Sequence, residues 1–303
     1  MLTCFFFHEI AHKLTIQVMD ILLEKISGSE QKWLKPLYHH TKKVFEKTHL
    51  PSHDAEHHLR VWLHCRGLLI ELHKAGIKTT LDSIDNAIVA CFFHDTGLTK
   101  DIGEQHGLLG KKICDDFFRE NTNLHVPDLH EVLEAIEKHD DKQSTAITTG
   151  TSYSMKTLTR MVSAADDLDA LGYIGVFRYI EIYLKRGVPD VDIPKKVMNN
   201  LRTRFSNFLN TYSGLHKYAE KQKLRYKETF DFFSELDGYI SQKNQIPDSQ
   251  TTVFQVIKNK LVEEKLGINE TIEKTLQTNT KGYALWYFSK LRNELEVTSA
   301  LLL

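Results

Sequence analysis

Two patterns in this sequence could do chemistry. One is local: HEIAH at residues 8–12 sets two imidazoles one helical turn apart with a glutamate beside them, the spelling of a zinc protease. The other is dispersed over five segments, each of which points an imidazole or a carboxylate inward from an apolar face. Ile84, Ile88, Cys91 and Asp95 share one helical face, so an aspartate ends an apolar stripe, with His94 beside it. The same anomaly recurs in His57–Val61–His64–Leu68, in His106–Gly110–Ile113–Phe117, in Val132–Ile136–His139 and in Leu158–Val162–Asp166–Asp169. A buried carboxylate without a partner is costly. Convergence of these groups on one or two divalent cations compensates the carboxylates and uses the imidazoles as neutral ligands. Mixed imidazole and carboxylate donors suit Mn, Fe, Co, Ni or Zn, with Mg as a harder alternative. One metal site is expected, with donors for a second.

The elements that must position these residues are helical almost throughout. Apolar residues recur at intervals of three and four, and six prolines leave long uninterrupted segments. The pattern predicts a helix from Ser52, as N-cap, to before Gly76. Others are expected over Leu81–Asp95, Glu104–Arg119, the segment from Pro127 to His139, and Met155–Leu171. Further helices follow, broken at 186–194 and 243–250. Residues 143–154 read as a polar loop that could cover a substrate. The fold class is all-α. Its expected division is N-terminal helices over 1–50, a helical domain over 51–240 and a helical C-terminal extension over 241–303, of a kind that builds homodimers.

Bulk composition excludes several classes. With 303 residues, 41% of them hydrophobic, the chain can build a sizeable core, and its formal net charge of -1 lacks the basic excess of a nucleic-acid binder. The four cysteines form no CxxC pair, which excludes a thiolate zinc site of the finger type and fits a reducing cytoplasm. No stretch approaches a membrane span, so no membrane partner is expected. HEIAH lacks the downstream extension HExxHxxGxxH, since Lys13, Leu14 and Thr15 follow His12. It is expected to be part of an amphipathic N-terminal helix packed on the body.

Three motifs carry a resemblance. HDAEHHLRV (53–61) resembles the HDxxHxxRV opening of HD-superfamily metal-dependent phosphohydrolases. CFFHDTG (91–97) is similar to that superfamily's His-Asp doublet, and AADDLDALGYIGVFR (164–178) resembles the ADxLDAxGxxGxxR segment of a bacterial and archaeal branch. The resemblance covers residues 50 to 240 and implies an HD-domain helical bundle. It implies that His57, His94, Asp95 and Asp166 ligate one metal, with His94 and Asp95 as the catalytic doublet and Asp95 also a proton acceptor. His57 is preferred over His58 and Asp166 over Asp167. His106 and His139 match histidines that bind a second metal or contact a phosphate. Arg60, Lys100 and Arg178 are candidate phosphate partners, and Asp169 is expected to support a ligand rather than be one.

The implied reaction is hydrolysis of a phosphoester or phosphoanhydride by metal-activated water, on a small phosphorylated substrate such as a nucleotide. Two other readings fit the same residues. A di-iron oxygenase would use His106 and His139. A non-catalytic nucleotide sensor would report through 241–303.

Overall fold

The computed structural model describes residues 2–141, 157–241, 248–278 and 281–300, with side chains from 19 to 296. No strand occurs among them. The helices are α1 (Leu2–Phe45), α2 (Ala55–Lys74), α3 (Leu81–Phe93), α4 (His106–Glu120), α5 (Leu129–Lys138), α6 (Leu158–Asp169), α7 (Gly172–Lys185), α8 (Ile193–Thr211), α9 (His216–Ser241), α10 (Gln250–Ile257), α11 (Ile268–Thr278) and α12 (Tyr283–Ala300). None is long and apolar enough to cross a membrane. HEIAH lies within α1, but its side chains fall outside those described. The expected loop at 143–154 also lies outside the described residues, as does most of the break at 243–250.

Local chemistry sets the helix starts. Asp54 caps α2, its side chain accepting from the N–H groups of Glu56 (3.0 Å) and His57 (3.4 Å). The expected cap, Ser52, is engaged elsewhere: its N–H and hydroxyl both donate to the buried carboxylate of Glu181. Thr80 and Ser83 form a capping box on α3, and Asp128 caps α5 through the Glu131 N–H at 2.9 Å. Each such cap contributes about 1 kcal/mol.

Helix α3 is buried on nearly all sides: every residue from Ile84 to Phe93 is buried. Helix α2 packs against α3 and α6, α1 crosses α2 and α3, and α5 closes the far side against α3 and α6. Helices α7, α8 and α9 pack on one another, and α12 lies against α7. One hydrophobic cluster runs through all of these layers, from Leu22 in α1 to Leu291 in α12. The 241–303 segment is also tied to the centre by polar contacts. Glu294 of α12 accepts from the Tyr173 and Ile174 N–H groups (2.8 and 3.2 Å), satisfying the start of α7.

Helix α3 ends two residues earlier than its apolar stripe suggests. Asp95, at φ −104° and ψ 4°, has left the helix, and a 3₁₀ turn follows over Thr96–Thr99. The turn lies directly against α4. A Cβ on Gly97 would overlap the His106 carbonyl oxygen, and one on Gly110 would crowd the Phe93 and His94 carbonyls. These two glycines allow α4 to approach the His-Asp doublet and deliver His106 beside it.

Candidate metal centre

Six residues from five elements converge here. His57 comes from α2, His94 and Asp95 from the end of α3, and His106 from the start of α4. His139 caps the end of α5, and Asp166 lies in α6. All six are buried. Donor atoms of His57, His94, Asp95 and Asp166 lie within 4.8 Å of one another, and so do those of Asp95, His106 and His139. Asp95 belongs to both groups. Its Oδ2 lies 3.4 Å from His57 Nε2 and 3.5 Å from His94 Nε2, while its Oδ1 lies 3.2 Å from His139 Nε2 and 3.5 Å from His106 Nε2.

The imidazoles are oriented by their outer nitrogens. Nδ1–H of His94, His106 and His139 each donates to a carbonyl three residues earlier (Cys91, Gly103 and Ile136; 2.7–2.8 Å). Nδ1–H of His57 donates to Asp169 at 2.8 Å. Each Nε2 is thereby turned inward. His57 and His94 face each other Nε2 to Nε2 at 3.2 Å, an arrangement in which two neutral rings have no proton to share. Burial lowers the His94 pKa, against the pull of Asp95, so that ring is neutral. Burial raises the Asp95 carboxyl, but the surrounding imidazoles outweigh it and hold the group well below the usual carboxylate range. At His139 burial opposes protonation, and the hydrogen bond and charge of Asp95 more than reverse that, raising its pKa.

Charge compensation is uneven. Asp169 accepts from Arg60 Nε (2.9 Å) and Nη2 (3.1 Å) and lies 3.3 Å from Arg178. Asp166 has Arg178 at 2.9 Å and Arg204 at 3.4 Å, and Asp167 has Arg204 at 2.6 Å. Among the described residues, Asp95 alone of these four has no guanidinium or ammonium partner; its neighbours are imidazoles. One donor does enter the inner cluster: Arg178 Nη2 reaches His57 Nε2 at 3.3 Å as well as Asp166. It does not reach His94 or Asp95, and Asp95 has imidazoles for neighbours, with His139 Nε2 at hydrogen-bond distance, 3.2 Å. Acceptors concentrated around a buried anion in this way fit a divalent cation.

The residues read from sequence divide accordingly. His57, His94, Asp95, Asp166, His106 and His139 are brought together. His58 is directed elsewhere, donating from Nδ1 to the Asp54 carbonyl, and Asp167 is held by Arg204. Arg60 was open to two readings, a substrate phosphate partner or a salt bridge between helices. It lies on Asp169, bridging α2 and α6, and does not line the cavity beside the cluster. Lys100 is exposed and does not line that cavity either, whereas Arg178 does.

That cavity, of ≈ 50 Å³, is bounded by His53, Asp95, His106, His139, Arg178 and Arg204, and also by Asn200 and Arg186. At about 10–15 Å³ per water it holds a few waters or a group of phosphoryl size. Sequence reading missed Arg204 and His53. Arg204 was accessible to it, because Val197, Leu201, Arg204 and Phe208 repeat the anomaly of a charge on an apolar stripe. His53 stands just ahead of the α2 cap. Its Nδ1 faces Ser52 Oγ (3.0 Å) and Glu181 (3.4 Å), and its ring borders the cavity.

Residues 54–171 match the family model of the HD domain. The chain carries an HD domain. Both groups of candidate ligands fall within it; His57, His94, Asp95 and Asp166 lie on the motifs that carried the resemblance, and His106 and His139 lie between them. Arg178, Arg186 and Arg204, the basic wall of the cavity, lie beyond the matched segment. Comparison with curated proteins and with solved structures gives no match.

Proposed function

We propose that this HD-domain protein is a metal-dependent phosphohydrolase that cleaves a phosphoester or phosphoanhydride of a nucleotide or related small phosphate. One observation carries the reading: Asp95 turns one oxygen to His57 and His94, which group with Asp166, and the other to His106 and His139, next to a cavity with Arg178, Arg186 and Arg204 on its wall. His57, His94, Asp95 and Asp166 would hold a divalent cation, and Asp95, His106 and His139 offer a second position. A bound cation supplies Lewis acidity and an activated water nucleophile.

The protein's own groups supply the rest. Arg178 and Arg204 face the cavity and offset charge on a phosphoryl group. Both are pinned by aspartates, so their positions are set before substrate arrives. His53 presents its ring to the cavity with Glu181 behind Nδ1; burial, with the Arg178 charge, holds its pKa well below the ordinary imidazole range, so the neutral ring can accept a proton or hydrogen bond at Nε2. Asp169 fixes the His57 ring. The nucleotide assignment rests on family resemblance. The second group of donors also fits the di-iron oxygenase reading, which predicts two irons per chain and oxygen-dependent turnover.

The test is metal content per chain by elemental analysis, beside an Asp95→Ala variant, followed by phosphate release from a nucleotide panel. Metal lost in the variant, with phosphate released only by the parent, is the expected result. Metal that survives the substitution would overturn the site.

A further inference from the structure

A second cavity, of ≈ 520 Å³, opens on the far side of Asp169. It lies between α2, the start of α7, α9 and α12, and none of His94, Asp95 and Asp166 reaches it. Its volume is that of sites which enclose small molecules, some tenfold more than the room beside the metal centre.

Its lining divides by chemistry. Leu63, Ile174 and Leu295 with the rings of Tyr173 and Tyr218 provide an apolar interior. Lys221 of α9 and Lys290 of α12 are exposed members of its wall. Among the described residues neither lysine lies within ion-pair distance of a carboxylate. The other basic groups are engaged: Arg60 by Asp169, Arg225 by Glu294 (2.8 Å) and Arg66 by Glu30 (3.3 Å). Of the three carboxylates on the wall, Asp169 and Glu294 are therefore compensated, and Glu228 is the remaining one. Two cations with no carboxylate at ion-pair distance stand against one carboxylate, Glu228, which feels Lys290 and Arg225 only at longer range; over an apolar interior that balance favours a ligand with an apolar body and a negative end.

We propose that this cavity binds a small organic anion with an aromatic or apolar body, its acidic group toward Lys221 and Lys290, and that occupancy is coupled to the metal centre through Arg60 and Asp169. The two sites share a wall. Asp169 accepts from His57 Nδ1 with one oxygen and from Arg60 Nε with the other, and both Arg60 and Asp169 line the second cavity. A ligand packed on Arg60 acts on the carboxylate that sets the angle of the His57 ring. The proposal goes beyond the hydrolase reading and stands without it, because its readouts are binding and not turnover.

The test uses the full chain and 8-anilinonaphthalene-1-sulfonate, an aryl sulfonate that carries no phosphate bond to cleave. Fluorescence titration is expected to show one saturable site per chain. In the metal-free protein its dissociation constant should rise about tenfold in Lys221→Glu/Lys290→Glu, whose exposed positions leave the core intact, and hold steady in Asp95→Ala. Leu63→Trp, which fills the cavity, should weaken the probe as well. Binding unchanged in the double variant, or lost in Asp95→Ala, overturns the site. For the coupling, saturating probe should change the Mn²⁺ dissociation constant about threefold or more by calorimetry, with Mn²⁺ changing probe affinity by the same factor. An unchanged Mn²⁺ constant overturns the coupling.

Discussion

Asp95 and Asp169 are both buried aspartates in contact with His57, yet they are solved differently. Asp169 is surrounded by hydrogen-bond donors: two nitrogens of Arg60, Arg178 and the His57 Nδ1–H. Its charge is compensated by the protein alone. Asp95 is surrounded by imidazoles whose outer nitrogens are already committed. His139 Nε2 is within hydrogen-bond reach at 3.2 Å, but among the described residues no guanidinium or ammonium pairs with Asp95. The first arrangement is architecture; the second is compatible with a divalent metal site. The difference shows why burial of a carboxylate is not itself a sign of a site. What distinguishes a site is a shortage of donors around it.

Five measurements would break or sharpen that contrast. Asp95→Ala should abolish metal binding and lower phosphate release about 10³-fold, measured by metal analysis and single-turnover assay. In the metal-free protein, Asp169→Asn should cost about 3–5 kcal/mol in urea unfolding, since it leaves Arg60 and Arg178 buried beside a neutral group. Asp95→Asn under the same conditions should be neutral or stabilising. Equal losses would erase the distinction between the two aspartates.

Glu181 provides a third test. Burial pushes its pKa up to about 7, against the donors of Ser52. An unfolded glutamate titrates near 4.3, so between these values the folded state holds a proton that the unfolded state has released. This group's contribution is present below the unfolded pKa and is lost as pH rises through about 7. From pH 5 to pH 8, Glu181→Gln should therefore gain about 3 kcal/mol relative to the parent, at ~1.4 kcal/mol per pK unit. A difference that stays flat with pH would show that Glu181 is ionised in the fold.

His53→Ala should lower kcat about 10²-fold with metal content unchanged and remove a limb of the pH–rate profile. Loss of metal in that variant would place His53 among the ligands. The smallest effect is expected at Lys100→Ala. This exposed side chain lies outside the cavity, so kcat/KM should stay within about twofold and stability within ~0.5 kcal/mol.

Much of the fold and the inner cluster was legible in the order of residues. Helical periodicity is a local property, so segments such as Leu81–Phe93 announce themselves, and a stripe that ends in Asp95 reports which way that aspartate points. The same rule separated His57 from His58 and Asp166 from Asp167, because neighbours on a helix face about 100° apart. It would have found Arg204 had it been applied to α8. It misplaced the α2 cap, since Ser52 and Asp54 are equally good caps in isolation and only the distant Glu181 claims the serine.

Charge partnership was not legible. Arg60 stands one turn after His57 in any helix, but whether its guanidinium faces a substrate or an aspartate 109 residues away depends on how α2 meets α6. The second cavity was equally hidden, because its walls come from four helices that packing alone brings together. The sequence determined which residues point inward, since one turn of backbone fixes that. Only the tertiary structure decided which inward charges satisfy one another and which are left for a cation, because hydrogen bonds and ion pairs act over a few ångströms between elements far apart in the chain.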